Sequence, residues 1–211
     1  MILSHKYKFI FLKTSKTAGT SVEIALSKFC GARDVITPIT PADEEIRTRL
    51  GYRGPQNFTL LASKGFYNHI SAHEVSGLVG PDVWNAYYKF CFERNPFERV
   101  ISLYYFLYTS EPRPTITEFL DAGTHERLRH RGYRLYTVDD RIVVDRVCLY
   151  ERINADLESL RTRLGLPGKI VLPWAKGTHR KDRRDYRAIL SPSEQERIRQ
   201  FFDKEITLFG Y

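Results

Sequence analysis

Lys13-Thr-Ser-Lys-Thr-Ala-Gly-Thr-Ser21 is a run of small, hydroxylated and cationic residues, a composition that suits an anion. Where such a run joins a strand to a helix, several backbone N–H groups and the helix dipole converge on one point and stabilise a phosphate or sulfate. Ala18 and Gly19 leave the backbone open to close approach, Thr17, Thr20 and Ser21 offer hydroxyl donors, and Lys16 adds a positive charge. The pattern GxxxxGK[ST] is absent, which removes the main support for a Walker-type NTPase. The plain alternative is an ordinary strand-to-helix turn with capping hydroxyls. A second run, Arg94-Asn-Pro-Phe-Glu-Arg-Val-Ile-Ser102, spaces a serine eight residues after an arginine, so both can face one side of a turn and its helix. An arginine fork with a serine hydroxyl makes a second phosphate clamp. Taken singly, Arg94 reads as a surface residue paired with Glu93 or Glu98. Of six histidines, His69 and His73 stand four apart. An imidazole titrates near neutral pH and is the natural general base. That spacing also suits a metal, but HExxH is missing and no third ligand is evident, so no metal site is expected.

These residues need elements to hold them. Tyr7-Lys-Phe-Ile-Phe-Leu-Lys13 is aromatic and β-branched and predicts a buried strand, and Thr20 to Phe29 has helical periodicity. Strand, small-residue loop and helix together open a nucleotide-binding α/β unit. Tyr87 to Phe92 predicts a second strand, with Arg94 at its carboxyl end, and Pro96 to Tyr108 predicts an apolar helix begun by a proline. Asp145 to Tyr150 reads as a third strand, followed by a helix over Asn154 to Leu164, and Lys169 to Leu172 as a fourth strand. Shorter elements are expected over Ala42–Leu50, Phe58–Ala62, Ala72–Val79 (stopped by Gly80-Pro81) and Thr115–Ala122. Ser191 and Glu194 predict a capping box before a last helix starting near Pro192. The fold expected is α/β: a P-loop-like parallel β-sheet flanked by helices, one domain over residues 1–211.

Composition bounds the partners. The chain has 211 residues, 33 of them Lys or Arg against 25 Asp or Glu, for a net charge of +8. Such a surplus attracts polyanions without choosing among them. The clusters Arg127–Arg134 and Arg180–Arg187 read by default as solvated surface, although an anionic acceptor or an acidic membrane surface would be served as well. Nucleic acid is not expected, though Tyr133, Tyr136 and Tyr186 are available for stacking near the basic clusters, so the sequence does not exclude it. Three cysteines, Cys30, Cys91 and Cys148, form neither a disulfide framework nor a zinc pattern, and the latter two read as buried small hydrophobes. No apolar stretch approaches the roughly 18 residues of a transmembrane helix. The N-terminus lacks the apolar region of a signal peptide, so the simplest address is the cytoplasm.

Taken in order, Lys-Thr-Ala-Gly-Thr-Ser (16–21) and Arg-Asn-Pro-Phe-Glu-Arg-Val-Ile-Ser-Leu-Tyr (94–104) resemble the two cofactor motifs of sulfotransferases that use 3′-phosphoadenosine-5′-phosphosulfate (PAPS). The likeness is strongest to the carbohydrate branch that includes heparan sulfate 2-O-sulfotransferase, and to small bacterial relatives. Weaker matches at Asn68-His-Ile-Ser-Ala72, Leu149-Tyr-Glu-Arg-Ile153 and Leu208-Phe-Gly-Tyr211 carry it along nearly the whole chain. The resemblance implies that Lys16, Thr17, Ala18, Gly19, Thr20 and Ser21 hold the 5′-phosphosulfate, Lys16 neutralising the bridging oxygen as the sulfuryl group leaves. It implies that Arg94 and Ser102 bind the 3′-phosphate. His69 falls at the family's base position, and Lys176, Thr178 and Arg180 fall where the family closes a loop over the cofactor. Two positions depart from the pattern: Ser15 stands where a proline is usual, and Glu93 where a hydrophobic residue is usual. A carboxylate facing the 3′-phosphate would be unfavourable, so Glu93 is expected to point away. The implied activity is sulfuryl transfer from PAPS to a hydroxyl on a carbohydrate or glycolipid, without metal. A small hydroxylated natural product is the alternative acceptor; a P-loop nucleotide phosphotransferase and a non-catalytic polyanion-binding module are the competing classes.

Overall fold

The computed structural model describes residues 1–60, 65–173, 182 and 184–211. In chain order the elements are β1 (Ile2–Ser4), β2 (Phe9–Phe11), α1 (Gly19–Ser27), β3 (Val35–Ile36), α2 (Pro41–Arg49), α3 (Ala72–Ala86), β4 (Tyr88–Glu93), α4 (Pro96–Leu107), α5 (Ile116–Asp121), α6 (Arg127–His130), α7 (Tyr133–Tyr136), β5 (Thr137–Val138), β6 (Arg141–Ile142), β7 (Arg146–Leu149), α8 (Ile153–Arg163), α9 (Tyr186–Ile189), α10 (Pro192–Phe201) and α11 (Asp203–Phe209). Five strands form the central sheet in the order β3-β1-β2-β4-β7, and β5 and β6 make a separate small ribbon. β2, β4 and β7 run parallel, with Phe11 opposite Phe90 and Phe92 opposite Cys148.

Alternation along the strands sends side chains to both faces, and helices cover each. Ile2, Phe9, Phe11, Phe90, Phe92 and Cys148 pack on one side with Val22 and Leu26 of α1 and Leu157 and Leu160 of α8. Leu3, Ile10, Leu12 and Cys91 pack on the other with Ala72 and Val75 of α3 and Tyr133 and Tyr136 of α7. A third cluster joins α4, α5 and α10 through Val100, Leu103, Phe119 and Ile198. Burial on both faces explains why these strands read as unbroken apolar runs. All three cysteines are free thiols and buried. Tyr133, Tyr136 and Tyr186 are buried too, so none of them forms an exposed stacking platform.

Several expectations need correction. The sheet is mixed, because β1 runs antiparallel to both β2 and β3. The turn at 5–8 is too short for a parallel crossover, which needs a dozen or more residues. Lys169 to Leu172 forms no strand, and Phe58 and Thr59 form none either; residues 61 and 62 lie outside the described residues. Gly80 does break the helix, with φ 76 and ψ 166, but a second helical segment restarts at once and carries α3 on to Ala86. Pro81 suits its first turn, where the missing N–H is no loss. The helix expected near Pro192 begins as predicted, with Ser191 and Glu194 in a capping box and Pro192 opening α10, but it is not the last, because α11 follows it.

Glu93, the last residue of β4, is fully buried and its Oε2 lies 2.6 Å from Nη1 of Arg99, itself fully buried. The carboxylate therefore turns into the protein, as expected from its place before Arg94. Burial pushes the Glu93 carboxyl up to about 7, although Arg99 works in the opposite direction. Removing one partner of a buried pair strands the other charge, a loss of roughly 3–5 kcal/mol. Arg99→Met should therefore lose stability on that scale in urea unfolding above the Glu93 value of about 7, and Glu93→Leu/Arg99→Met should regain much of it. Because a raised folded value means that the unfolded state ionises first, the Arg99→Met deficit should deepen as pH rises through 7. A deficit independent of pH would remove Glu93 as its cause.

Candidate active site

The three parallel strands end on the same side, and the residues just beyond them border one cavity of about 260 Å³. Lys13 to Lys16 follow β2, Arg94 follows β4 and Tyr150 follows β7, and all of them line it. Open α/β sheets bind ligands at such carboxyl ends.

After β2 the chain turns through a tight loop into α1. Lys16 and Ala18 take left-handed backbone conformations, φ 65 and φ 60. Neither residue is a glycine, so each position costs on the order of 1 kcal/mol that the surroundings must offset. The Thr14 hydroxyl supplies part of that, donating to the Phe92 carbonyl at the end of β4 and lying 2.8 Å from the Thr17 hydroxyl. Thr17 is fully buried, its side chain spent on bracing the loop, so what it can offer a ligand is its main-chain N–H. Ala18, Gly19, Thr20 and Ser21 line the cavity. Gly19 has no room for a side chain: a Cβ would come within 2.8 Å of Lys13 Cγ and 3.1 Å of the Thr14 carbonyl. Lys16 lies in the lining, with its ammonium 4.1 Å from the centroid of the Phe106 ring.

Lys13 faces the same space but is tied down, its Nζ 2.9 Å from Glu23 on α1. Glu23 also lies 3.2 Å from the Met1 amine and 3.6 Å from Arg47 of α2. Burial pushes its carboxyl up, yet the Met1 amine, Lys13 and Arg47 together outweigh that and hold it below the usual carboxylate range, while burial holds the amine itself down to about 5.

From the end of β4 and from α4, Arg94 and Ser102 line the cavity together, as their spacing predicts. The Arg94 guanidinium lies 4.2 Å over the Tyr150 ring and donates from Nη2 to Glu98 at 3.0 Å. The surface-pair reading is thus also correct in part, since Glu98 is a partner, and the stacking leaves the fork pre-oriented. Asn95 caps α4 by accepting from the Phe97 and Glu98 amides. Lys176, Thr178 and Arg180 lie outside the described residues.

His69 lines the cavity and His73 does not; His73 is exposed on α3. His69 has φ 62, and its Nδ1 lies 2.8 Å from the Lys13 carbonyl. A carbonyl only accepts, so Nδ1 carries the proton and Nε2 keeps a bare lone pair. Burial holds the imidazole down to about 4, with the nearby charges of Lys13, Arg131 and the Met1 amine acting the same way. It is therefore neutral at pH 7, the form that can take a proton.

Sequence reasoning missed several lining residues. Asn68, Phe106, Arg127 and Arg131 border the cavity, and the two arginines belong to a cluster read as solvated surface. Asn68 precedes His69, and its Oδ1 is buried with no hydrogen-bond partner among the described residues. An orphan acceptor beside the histidine was a signal only structure could give. Among the described residues no group of His, Cys, Asp and Glu is placed to hold a metal, and no helix is long and apolar enough to cross a membrane.

A family model described as Sulfotransferase family matches residues 1–211. An uncharacterized protein of Archaeoglobus fulgidus is 28% identical over 95 residues, 44% of this chain and 79% of that protein. No solved structure matches the chain.

The imidazole arrangement is testable without turnover. In ¹⁵N-detected titration of the free protein, His69 should show the Nδ1–H tautomer and remain neutral down to about pH 5, gaining a proton only near 4. Titration near the ordinary 6.5, or an Nε2–H tautomer, would remove the hydrogen bond to Lys13 as the organising contact.

Proposed function

The chain belongs to the sulfotransferase family, and from that premise we propose that it moves a sulfuryl group from PAPS to an acceptor hydroxyl, with His69 as general base. The observation that carries the reading is convergence: an anion-suited loop, an arginine–serine pair and a neutral histidine with a bare nitrogen border one cavity. The residues suit the donor. Gly19 lets the loop pack against Lys13 and the Thr14 carbonyl where a Cβ would not fit, and Arg94 and Ser102 line the same cavity from the end of β4 and from α4, a second cation and hydroxyl for a second phosphate group. On this reading residues 1–211 make one sulfotransferase domain with a P-loop-like anion site.

When bound, PAPS supplies an activated sulfuryl group on its 5′-phosphate. Lys16, the N–H groups of 17–21 and the hydroxyls of Thr20 and Ser21 bind that end, and Arg94 with Ser102 binds the 3′-phosphate. His69 takes the acceptor's hydroxyl proton on Nε2 as the acceptor oxygen bonds to sulfur and the sulfur–oxygen bond to the 5′-phosphate breaks. Lys16 then meets the charge left on the phosphate oxygen. Fixed donors aimed at developing charge suffice for this transfer, so no metal role is assigned. The motif likeness to the carbohydrate branch supports a glycan or glycolipid hydroxyl as acceptor. A small hydroxylated natural product is the second reading.

Arg94→Ala should weaken binding of 3′-phosphoadenosine-5′-phosphate (PAP) far more than binding of adenosine 5′-phosphosulfate, by on the order of 2–3 kcal/mol for the lost charge-assisted contact. Equal losses for both ligands would take Arg94 out of that role. His69→Ala should lower single-turnover rates by roughly 10²–10⁴-fold with PAP affinity nearly unchanged, while Lys16→Ala should lower both. Activity should persist in excess EDTA; loss that Mg²⁺ restores would point instead to a phosphotransferase.

A further inference from the structure

Arg127 and Arg131 stand one helical turn apart at α6, and both line the cavity that His69 and the loop share. Among the described residues no carboxylate pairs with either. Lys13 and Arg94 of the same cavity wall each meet an acid, Glu23 and Glu98. Two like charges at this spacing repel and destabilise a helix unless something neutralises them. Burial lowers the Arg127 affinity for its proton, and Arg131 adds to the effect, so the pair is held against an electrostatic cost.

The backbone that carries the pair is anchored, while Arg127 is half-buried and Arg131 exposed. The Leu128 carbonyl between the two arginines accepts from Arg99 Nη2 at 3.1 Å, and the Arg131 carbonyl accepts from the Ser15 amide at 2.7 Å. Gly132 follows, where a Cβ would lie 2.3 Å from Arg99 Nη2, so only glycine lets the chain pass. Arg131 and His69 therefore hang from the same short stretch: the former is tied to Ser15 and the latter to the Lys13 carbonyl. Arg94 and Ser102 sit with Tyr150 at the other strand ends.

We infer that Arg127 and Arg131 form an anion subsite on the histidine side of the cavity, which binds an acidic group carried by the acceptor. The acceptor class is then a hydroxylated anion, with a carboxylate, sulfate or phosphate close to the hydroxyl that reacts. The inference rests on the proposed donor site, because that assignment leaves these two arginines to the acceptor. Two guanidinium groups on one face supply paired donors in the planar geometry that such oxyanions match.

The test is calorimetric and needs no known acceptor. PAP is titrated into wild-type protein and into Arg127→Gln/Arg131→Gln, and inorganic sulfate is then titrated into each with PAP saturating. Thermal melting and PAP binding report that the variant is folded, and Arg127→Lys/Arg131→Lys, which keeps both charges, is the second variant. The expected result is PAP affinity within about threefold in all proteins and sulfate binding at least tenfold weaker in the glutamine variant, partly kept in the lysine variant. Loss of PAP affinity by tenfold or more in a folded glutamine variant would hand the arginines to the donor and overturn the inference. Sulfate binding that is absent in wild type, or equal in wild type and the glutamine variant, would overturn it also. If wild-type protein fails to bind PAP, the proposed donor falls instead, and sulfate titration of the ligand-free proteins still reads the arginine pair.

Discussion

The buried ion pair of Glu93 and Arg99 organises this molecule. Glu93 ends β4, so the pair sets where the strand stops and where Arg94 begins. Arg99 lies on α4, which also carries Ser102, and its second nitrogen reaches the Leu128 carbonyl of α6. Through α6 the restraint passes to Arg131, whose carbonyl takes the Ser15 amide and so steadies the loop before α1. One arginine thus bears on the walls of the cavity that hold Arg94, Arg131 and the loop. The arrangement is expensive. Glu93 Oε1 and Arg99 Nε have no hydrogen-bond partner among the described residues. Glu205, another buried carboxyl, is pushed up by burial as well, although Arg99 and Arg129 both act against that. Buried pairs seldom stabilise more than a well-packed apolar substitute would. What this one adds is position: a charged fork with several donors fixes three chain segments at once, which no apolar contact can do.

The second charge cluster works at the loop's other end. Glu23 gathers Lys13, Arg47 and the Met1 amine, and so draws the Lys13 side chain toward α1 while its carbonyl stays with His69. The imidazole consequently sits among fixed positive charges in a partly desolvated place, and both effects keep it neutral. An anionic ligand entering the same cavity brings opposite charge beside those cations. Its field favours the imidazolium, so binding makes the histidine a stronger base at the moment one is needed. The free protein holds a weak base in the correct tautomer, and the strength comes with the occupant.

How much of this was legible from residues alone depends on the range of the interactions involved. The loop 16–21, the helix opened by Pro96 and the Ser191 capping box are local chemistry: small residues, a fixed proline φ and a side chain reaching a neighbouring amide act within a few positions. Their signals are therefore complete in a short window. Ile2–Ser4 was missed as a strand because three residues show no alternation, and its antiparallel pairing overturned an all-parallel sheet. Lys169 to Leu172 looked like a strand by composition and is not one, since strand propensity needs a partner edge to act on.

The sequence by itself determined the α/β class, the family of motifs and the residues able to bind anions or move a proton, because each depends on residue type and near spacing. Tertiary structure decided which of them meet. It separated His69 from His73, turned Thr17 inward, aimed Glu93 at Arg99 and set Arg127 and the still exposed Arg131 on the cavity wall. Each of those outcomes hangs on a contact between residues far apart in the chain, such as Arg99 with Leu128, Ser15 with Arg131 and Lys13 with His69. A hydrogen bond across such separations leaves no periodicity or spacing behind it, so only the folded chain records it.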